Sequence, residues 1–167
     1  MYEDIFDVVN EHDEIIGREP RSLVHARGLL HRAVHVLVYN AAGQLFLQKR
    51  SMTKDNDPGL WDSSCSGHVD SGESYAVAAE RELMEEIDLL VDEPMEELFK
   101  IEATAETGWE FAVIYRTEDE GPFNLCPEEI DEGRWFTPEE IDNALANEPE
   151  KFSPTFKIVW DRLWKQR

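Results

Sequence analysis

Segments with a strand-like hydrophobic pattern alternate along this chain with segments whose apolar residues repeat at helical spacing. The strand-like segments cover residues 5–10, 14–18, 34–39, 45–48, 95–105 and 109–117, and the helical ones cover residues 74–87 and the stretches after Thr137 and after Ser153. Strands flanked by helices fold into stacked layers, because each apolar sheet face and helix stripe must be covered by another element. The pattern therefore predicts a layered α/β or α+β sandwich, with a central hairpin at residues 34–48.

The length and charge of the chain limit its domains and partners. With 167 residues, 41% of them hydrophobic, the chain can bury one sizeable core, and a domain usually has about 100–200 residues. We therefore expect a single domain over residues 1–167. Its 37 acidic residues outnumber 16 basic ones, which gives a formal charge of -21 that repels nucleic-acid phosphates. We expect no nucleic-acid partner and a small-molecule ligand instead.

The sequence also bears on the cellular compartment. The first ten residues are acidic and lack the basic and apolar regions of a secretory signal. No apolar run approaches the roughly 18–20 residues of a membrane span. Cys65 and Cys126 are too few for a disulfide framework. We expect a cytoplasmic protein with reduced thiols and no membrane partner, and the oligomeric state stays open.

Three glutamates share one face of the predicted helix at residues 74–87. Glu82, Glu85 and Glu86 are spaced i, i+3 and i+4, which places their Cβ atoms about 5–6 Å apart. Like charges at this spacing destabilise a helix by a few tenths of a kcal/mol per pair. A divalent cation would offset that repulsion, and Mg²⁺ prefers carboxylate, water and phosphate oxygens. A solvated acidic face on an acidic protein is the alternative that the helix alone leaves open.

The turn before this helix favours a ligand site. Gly67 and Gly72 bracket four residues, and glycine lets the backbone approach a ligand or metal closely. Glu73 lies where the helix begins, at the positive end of the helix dipole. Arg81 is the one basic residue of the helical segment and can hold a carboxylate through two parallel hydrogen bonds.

Together these residues resemble the Nudix box. The motif spans residues 67–89, and all of its defined positions but one are present in the order Gly67-x5-Glu73-x7-Arg81-Glu82-Leu83-x-Glu85-Glu86-x-Asp88-Leu89. The exception is Asp88, where the family has a glycine that ends the helix. Aspartate tolerates the left-handed conformation better than most side chains, so we expect a small stability cost. A match at so many fixed positions is highly specific.

The resemblance implies a fold, a reaction and a metal site. Nudix hydrolases are α/β/α sandwiches with a mixed central sheet, and they cleave diphosphate linkages with Mg²⁺, for which Mn²⁺ is an alternative. In that family the metal is held by the glutamates that match Glu82, Glu85 and Glu86. The carbonyl that matches Gly67 is a further ligand. The cation neutralises charge on the phosphate oxygens and helps to deprotonate the attacking water.

The same resemblance implies a catalytic set. A carboxylate accepts the proton of the attacking water, and Glu85 or Glu86 is the first candidate for that base. Arg81 and Glu73 complete the set as further defined positions of the box. Family members differ in the base, and three glutamates from the downstream strands stay open as alternatives: Glu102, Glu106 and Glu110.

A second resemblance, over residues 28–90, is to isopentenyl-diphosphate isomerase, a branch of the same superfamily. The matching segments are Leu30-His31-Arg32-Ala33, Asn40-Ala41-Ala42-Gly43-Gln44-Leu45, Lys49-Arg50, Lys54, Pro58-Gly59-x-Trp61 and Gly67-His68. In the isomerases the residues that match Arg50 and Lys54 hold the substrate diphosphate. Two cations at a strand end and its following loop agree with an anion site, although ordinary surface cations are an alternative.

Two departures argue against isomerase chemistry. The isomerase cysteine falls on Ser66, with Cys65 one residue early, and a one-residue slip along a strand turns the side chain to the opposite face. The isomerase box is also degenerate at the positions of Glu82 and Glu85, which are complete here. We therefore predict a hydrolase that acts on a nucleoside diphosphate derivative or a related small organic diphosphate. Isomerase activity and a non-catalytic ligand-sensing module are the alternatives.

Histidines and tryptophans supply the remaining candidates. His25, His31 and His68 lie close to the positions of isomerase metal ligands and could form a second metal site. Isolated histidines more often make ordinary hydrogen bonds, which is the favoured alternative. Three tryptophans could stack on a base or an isoprenoid, with core packing as the favoured alternative: Trp61, Trp109 and Trp135.

Overall fold

The computed structural model describes residues 2–166, and its elements follow the predicted alternation of strands and helices. In chain order they are β1 (Ile5–Val9), β2 (Ile15–Pro20), α1 (Arg21–Arg27), β3 (His31–Tyr39), β4 (Leu45–Arg50), β5 (Trp61–Asp62), β6 (Cys65–His68), α2 (Tyr75–Ile87), β7 (Glu96–Ile101), β8 (Glu110–Glu118), β9 (Ile130–Phe136), α3 (Pro138–Asn147) and α4 (Pro154–Lys165). The predicted segments agree with these elements apart from their exact ends. Strands β5, β6 and β9 lie outside the predicted strand segments.

Strand β3 is the centre of a seven-stranded mixed sheet. It pairs in parallel with β8 along its whole length, from His31 opposite Glu110 to Tyr39 opposite Glu118. Its other edge is shared, because β6 pairs antiparallel with its middle and β4 pairs antiparallel with its end. The sheet is therefore mixed, as the resemblance implies.

The hairpin predicted for residues 34–48 is only partly formed. Strands β3 and β4 pair at two positions, Val38 with Phe46 and Tyr39 with Leu45. They then separate, and β4 continues between β5 and β9. The two strands thus form a fork, and residues from both of its arms line the cavity of the candidate site.

Alternate residues of β3 face two layers of helices. Val34, Val36 and Val38 pack with α2 in one hydrophobic core, while Leu37 and Tyr39 pack with α3 and α4 in the other. This alternation follows from the period of two along a strand, and a strand that is buried on both faces reads as a continuous apolar run. The architecture is an α/β/α sandwich. Within residues 2–166 no helix is both long and apolar enough to cross a membrane.

Helix α2 begins and ends as its sequence predicts. The hydroxyl oxygen of Ser74 accepts a hydrogen bond of 3.1 Å from the N–H of Val77, which is an N-cap. Asp88 adopts the left-handed conformation at the C-cap, with φ 57° and ψ 40°. Its carboxylate accepts a hydrogen bond of 3.0 Å from the amide of Asn124. Aspartate therefore takes the place of the family's glycine without disturbing the helix end.

Strands β1 and β2 form a separate two-stranded sheet that Asp13 ties to the main body. Asp13 lies in the turn between them, with φ 60°. Its carboxylate accepts hydrogen bonds from Arg32 Nε (2.7 Å), Tyr75 Oη (2.7 Å) and Lys100 Nζ (2.6 Å). Because the three donors belong to β3, α2 and β7, one carboxylate joins the hairpin to three elements.

Candidate active site

The predicted metal site lies where α2 packs beside β6. Cys65 and Gly67 of β6 face α2. Ser66 and His68 face the other way, toward a cavity. A Cβ atom on Gly67 would lie 2.2 Å from Cδ of Glu82, which is far inside van der Waals contact. Glycine at position 67 is therefore required for Glu82 to occupy its place against the strand.

Arg81 connects the residues of the box. Its Nε and Nη2 donate to the two carboxylate oxygens of Glu73, each at 2.8 Å, and this is the bidentate pair that the sequence predicts. Its Nη1 donates to Glu82 at 2.8 Å and to Glu85 at 3.2 Å, and Nη2 also donates to the carbonyl of His68 at 3.0 Å. The hydrogen bonds from Arg81 lower the pKa of Glu73. Arg81 thus fixes the turn, β6 and two of the three glutamates in one arrangement.

Glu86 is turned inward beneath β6. The residue is 3% exposed, and its Oε1 accepts hydrogen bonds from the N–H of Ser66 (2.9 Å) and from Gln48 Nε2 (3.1 Å). Burial raises the pKa of Glu86 to about 7 in spite of these hydrogen bonds. Burial, and then repulsion from Glu86, raises the pKa of Glu82 to about 8. A buried and a partly buried carboxylate that repel each other form a place that a cation would stabilise.

The chemistry of these donors fits Mg²⁺. The oxygens of Glu82, Glu85 and Glu86 do not all lie within 4.8 Å of one another. Mg²⁺ usually takes only one or two protein carboxylates and keeps several waters for exchange with substrate phosphate. The ligand atoms of one Mg²⁺ lie at most about 4.2 Å apart, so in this arrangement one ion contacts no more than two of the three side chains. The side chain of Glu85 is 58% exposed, which leaves one side of the site open to solvent and substrate.

A cavity of about 430 Å³ lies on the other side of β6, and it contains the predicted diphosphate ligands. Arg50 and Lys54 both line it, together with Arg21. The guanidinium of Arg50 donates to a backbone carbonyl at 3.0 Å and lies 3.5 Å from the carboxylate of Asp62. The ammonium of Lys54 is paired with Glu129. Five carboxylates line the same cavity, those of Asp55, Asp57, Asp62, Glu106 and Glu110, and each of the three cations is paired with a carboxylate. The cations form a candidate anion site in which a diphosphate would replace these carboxylate partners.

Sequence reasoning missed several polar residues of this cavity. Arg21 begins α1, and its guanidinium lies 3.4 Å from His68 Nδ1 and 3.5 Å from the carboxylate of Asp55. His35 and Asp62 also line the cavity, although each is almost fully buried. His35 stands inside the valine-rich run of β3, and a polar residue in such a run was the signal that could have pointed to it.

His25, His31 and His68 come together as the sequence resemblance suggested. One ring nitrogen of each lies within 4.8 Å of the others, the one such group of three among residues 2–166. The carboxylate of Glu110 lies 3.2 Å from His31 Nε2 and 3.0 Å from His68 Nε2. His31 Nε2 is buried and close to Glu110, yet it makes no well-aligned hydrogen bond. A buried nitrogen left unsatisfied in a polar cluster is typical of a ligand site.

The charge states of this cluster suit metal binding. Burial, and then repulsion from His68 and Arg21, lowers the pKa of His25 to about 4. Its imidazole is therefore neutral near pH 7, which is the form that binds metals. Burial opposes ionisation of Glu110, but the charges of His68 and His31 outweigh it, and the pKa of Glu110 is lowered. The cluster thus offers one imidazole that is neutral near pH 7, that of His25, and one ionised carboxylate, that of Glu110.

Cys65 and Ser66, the two residues that bear on the isomerase alternative, lie on opposite faces of β6. Cys65 is fully buried in the core beneath α2, and burial, together with the charge of Glu86, raises the pKa of its thiol. Ser66 lines the cavity instead. Cys65 is thus a buried core residue, and the cavity presents the hydroxyl of Ser66 at the position that aligns with the isomerase cysteine.

The remaining candidates divide between core and cavity. Trp61 and Trp135 are partly buried against the two cores, which confirms core packing for both. The same prediction is wrong for Trp109, which is 42% exposed and lines the cavity. Among the alternative bases, Glu106 is exposed at the cavity, while Glu102 does not line it.

The fold and this site define a Nudix-type hydrolase domain, and comparison with known proteins agrees. The family model described as NUDIX domain matches residues 29–156. A Nudix hydrolase from Yersinia pestis is 36% identical over 135 residues, which cover 81% of this chain and 74% of that protein. The Nudix hydrolase YfcD of Escherichia coli is 33% identical over 162 residues, covering 96% and 86%. The chain belongs to the Nudix family, and it is a hydrolase that acts on phosphorus-containing anhydrides.

Isomerases are also among its relatives. An isopentenyl-diphosphate Delta-isomerase of Serratia proteamaculans is 32% identical over 159 residues, covering 93% of this chain and 89% of that one. Among solved structures, DR0079 from Deinococcus radiodurans has a TM-score of 0.78 at 31% identity, covering 87% and 90%. The NUDIX domain of NrtR from Shewanella oneidensis, solved with ADP ribose, has a TM-score of 0.62 at 14% identity, which shows the shared fold alone. Divalent-metal-dependent hydrolysis of diphosphates is the general activity of the family, and the substrate has to be inferred from the site.

Proposed function

We propose that this protein is a single-domain, Mg²⁺-dependent hydrolase that cleaves the diphosphate linkage of a nucleoside diphosphate derivative or a related small organic diphosphate. The observation that carries the proposal is the pairing of two sites across β6. Carboxylates suited to a cation lie against Gly67 on the side of α2, and cations suited to a diphosphate line the cavity, which Gly67 also borders. The carboxylates are Glu82, Glu85 and Glu86, and the cations are Arg21, Arg50 and Lys54.

The proposed metal ligands are Glu82, Glu85 and Glu86, with the carbonyl of Gly67, and the three side chains must move closer together than they are in this structure to share one ion. When bound, Mg²⁺ neutralises charge on the phosphate oxygens and lowers the pKa of water. The mutual repulsion of Glu82 and Glu86 supports this assignment, and so does the close approach that Gly67 permits. Mn²⁺ accepts the same oxygen donors and would substitute for Mg²⁺.

The protein's own groups bind the substrate and accept a proton. Arg50 offers phosphate oxygens a planar guanidinium that is already held in place, and Lys54 adds a compact charge. We favour Glu85 as the base, because its side chain is 58% exposed and open to water. One oxygen of Glu86 is already occupied by two hydrogen bonds. Arg81 and Glu73 act through the glutamates, as positioning residues.

One observation favours a second candidate function, the isomerisation of isopentenyl diphosphate. The cluster of His25, His31, His68 and Glu110 fits a transition metal, since neutral imidazoles and a carboxylate are suitable ligands. Ser66, at the place of the isomerase thiol, weakens this candidate. A non-catalytic ligand-sensing module is the third candidate, and the intact glutamates of the box lend it no support.

A steady-state assay with Mg²⁺ over a panel of nucleoside, sugar, coenzyme and isoprenoid diphosphates tests the proposal, with both products identified by mass. We expect hydrolysis that Glu82→Gln and Glu86→Gln abolish. The matched control is Glu80→Gln, at an exposed position of the same helix. Activity that survives both box substitutions would contradict the site assignment. Deuterium uptake into isopentenyl diphosphate without phosphate release would favour the isomerase, and tight binding without turnover would favour the sensing module.

A further inference from the structure

Trp109 has an unusual backbone conformation at the cavity. Its φ is 64°, in the left-handed region that bulky L-residues rarely adopt. Its side chain is 42% exposed and lines the cavity, and among the tryptophans of residues 2–166 it alone does so. Such conformations persist where the surrounding structure holds them in place, and they concentrate at ligand sites.

Hydrogen bonds fix the turn that carries Trp109. The N–H of Trp109 donates to the carbonyl of Thr104 at 2.7 Å, and its carbonyl accepts from the N–H of His31 at 3.2 Å. Thr107 is buried, and its hydroxyl oxygen lies 3.0 Å from the carbonyl of Thr104 and 2.9 Å from that of Glu110. None of these contacts uses the indole ring. The turn therefore fixes the backbone from which the ring extends toward the cavity.

Gly28 lets the indole lie against the end of α1. A Cβ atom on Gly28 would lie 3.2 Å from Trp109 Cδ1 and 3.3 Å from Nε1. One edge of the ring is thus covered by a residue without a side chain, while the rest of the ring remains open to the cavity. A large aromatic surface that is held in place and partly uncovered is suited to stacking.

The other residues of the cavity favour a polar ligand. Arg50 and Lys54 provide charge for a diphosphate, and His35, Asp62 and Ser66 contribute polar groups to the lining. His35 and Asp62 are already paired within the protein, through Ser63 and Arg50, whereas the charged ends of the cations lie at the cavity wall. Covering charged groups with a hydrocarbon tail is costly. The cavity therefore fits a polar ligand that carries a flat ring better than it fits a prenyl chain.

We propose that Trp109 stacks on the base of the substrate, so that the diphosphate cleaved is a nucleoside diphosphate derivative and not a prenyl diphosphate. This inference rests on the proposed function, because it places the diphosphate against the cations of the same cavity. Stacking between a base and an aromatic side chain tolerates any base, since every base has a π-face. Trp109 thus selects for substrates that carry a base, and it does not distinguish one base from another.

Calorimetric titration with ADP and with isopentenyl diphosphate tests this proposal. Both ligands end in a diphosphate, and chelation of metal prevents turnover of either. We expect wild type to bind ADP more tightly than isopentenyl diphosphate. Trp109→Ala should weaken ADP binding about tenfold, the scale of one stacked base, and leave isopentenyl diphosphate binding unchanged. Trp109→Phe should restore most of the affinity for ADP.

Fluorescence supplies a second measurement, which does not depend on the alanine variant. ADP should quench the indole emission of the wild type and of the control Trp164→Phe, whose substituted residue lies outside the cavity lining, and Trp109→Phe should lose that quenching. Equal effects of Trp109→Ala on both ligands, or quenching retained in Trp109→Phe, would overturn the inference. If the steady-state assay finds no hydrolysed diphosphate, the proposed function fails but the inference about Trp109 does not, because the titrations measure binding.

Discussion

Gly67 and Glu82 are in such close contact that a Cβ atom on residue 67 would lie 2.2 Å from Glu82 Cδ and 2.4 Å from one of its carboxylate oxygens. We expect Gly67→Ala to displace this carboxylate from β6 and lower kcat/KM by about 10- to 100-fold, as the loss of groups that orient metal ligands does. Activity is measured against Mg²⁺ concentration, with the melting temperature as a test of folding. Gly17→Ala is the matched control, since a Cβ there meets nothing within 4 Å. Equal activity in the two variants would contradict the prediction.

Lysine should not replace Arg81 without loss of activity. The ammonium of lysine cannot reproduce the parallel pair of hydrogen bonds to Glu73 and at the same time reach Glu82. We expect Arg81→Lys to lower kcat by about 10- to 100-fold and to raise the Mg²⁺ concentration needed for half-maximal activity. The control is Arg116→Lys on β8, where the arginine is paired with the exposed Glu118. A normal Mg²⁺ dependence in Arg81→Lys would show that the arginine does not organise the site.

The box glutamates should destabilise the metal-free protein. Glu86 is buried, Glu82 is partly buried beside it, and the two carboxylates repel each other, so removing one charge relieves the repulsion while glutamine keeps an oxygen acceptor. With metal chelated, Glu82→Gln should melt at a higher temperature than the wild type. With Mg²⁺ added, the wild type should gain stability by ligand binding and the variant should gain less. Thermal melts with and without the metal measure both effects.

The control for that experiment is Glu80→Gln on the exposed face of α2. It should respond to Mg²⁺ as the wild type does. A wild-type protein that already melts above Glu82→Gln in chelator would mean that other groups compensate the two charges. The carboxylates would then need no cation.

Helix α2 was predictable because its determinants are local. The cap at Ser74, the left-handed Asp88 and the spacing of Glu82, Glu85 and Glu86 are all set within the box and its flanks. The resemblance to the Nudix box therefore identifies these candidate site residues from the amino-acid sequence alone. The isomerase resemblance likewise identifies the three histidines, although the pairing of Glu110 with them depends on the parallel pairing of β3 and β8.

Other features depend on contacts between distant segments. Strand β9 has an irregular burial pattern, and it is held by pairing with β4, about 85 residues earlier in the chain. Arg21 reaches the cavity from α1 without any local motif. Trp109 looks like an ordinary core residue in the sequence, because its positive φ is set by the hydrogen bonds of the turn at Thr104 and Thr107. Tertiary contacts of this kind leave no periodic signal.

The turn at Asp13 should make the fold sensitive to acid. Burial opposes ionisation of this carboxyl group, but hydrogen bonds from Lys100, Arg32 and Tyr75 outweigh it, and the pKa of Asp13 is lowered. The unfolded chain therefore binds a proton at a higher pH than the folded protein does. The stabilisation is complete above the ordinary aspartate pKa of about 4 and is lost as the pH falls through the lower, folded value.

Asp13→Asn tests this contribution, because asparagine also tolerates the positive φ of the turn. At pH 7 we expect the free energy of unfolding in urea to fall by about 1.5–3 kcal/mol, the range for hydrogen bonds to a charged group. At pH 3 the difference from the wild type should shrink, since acid protonates Asp13 on unfolding and removes the advantage of the charge. Asp161→Asn, in an exposed pair with Lys165 on α4, should change stability little at either pH, because exposed ion pairs contribute little. A difference between Asp13→Asn and wild type that is the same at both pH values would show that the carboxylate charge does not hold the hairpin in place.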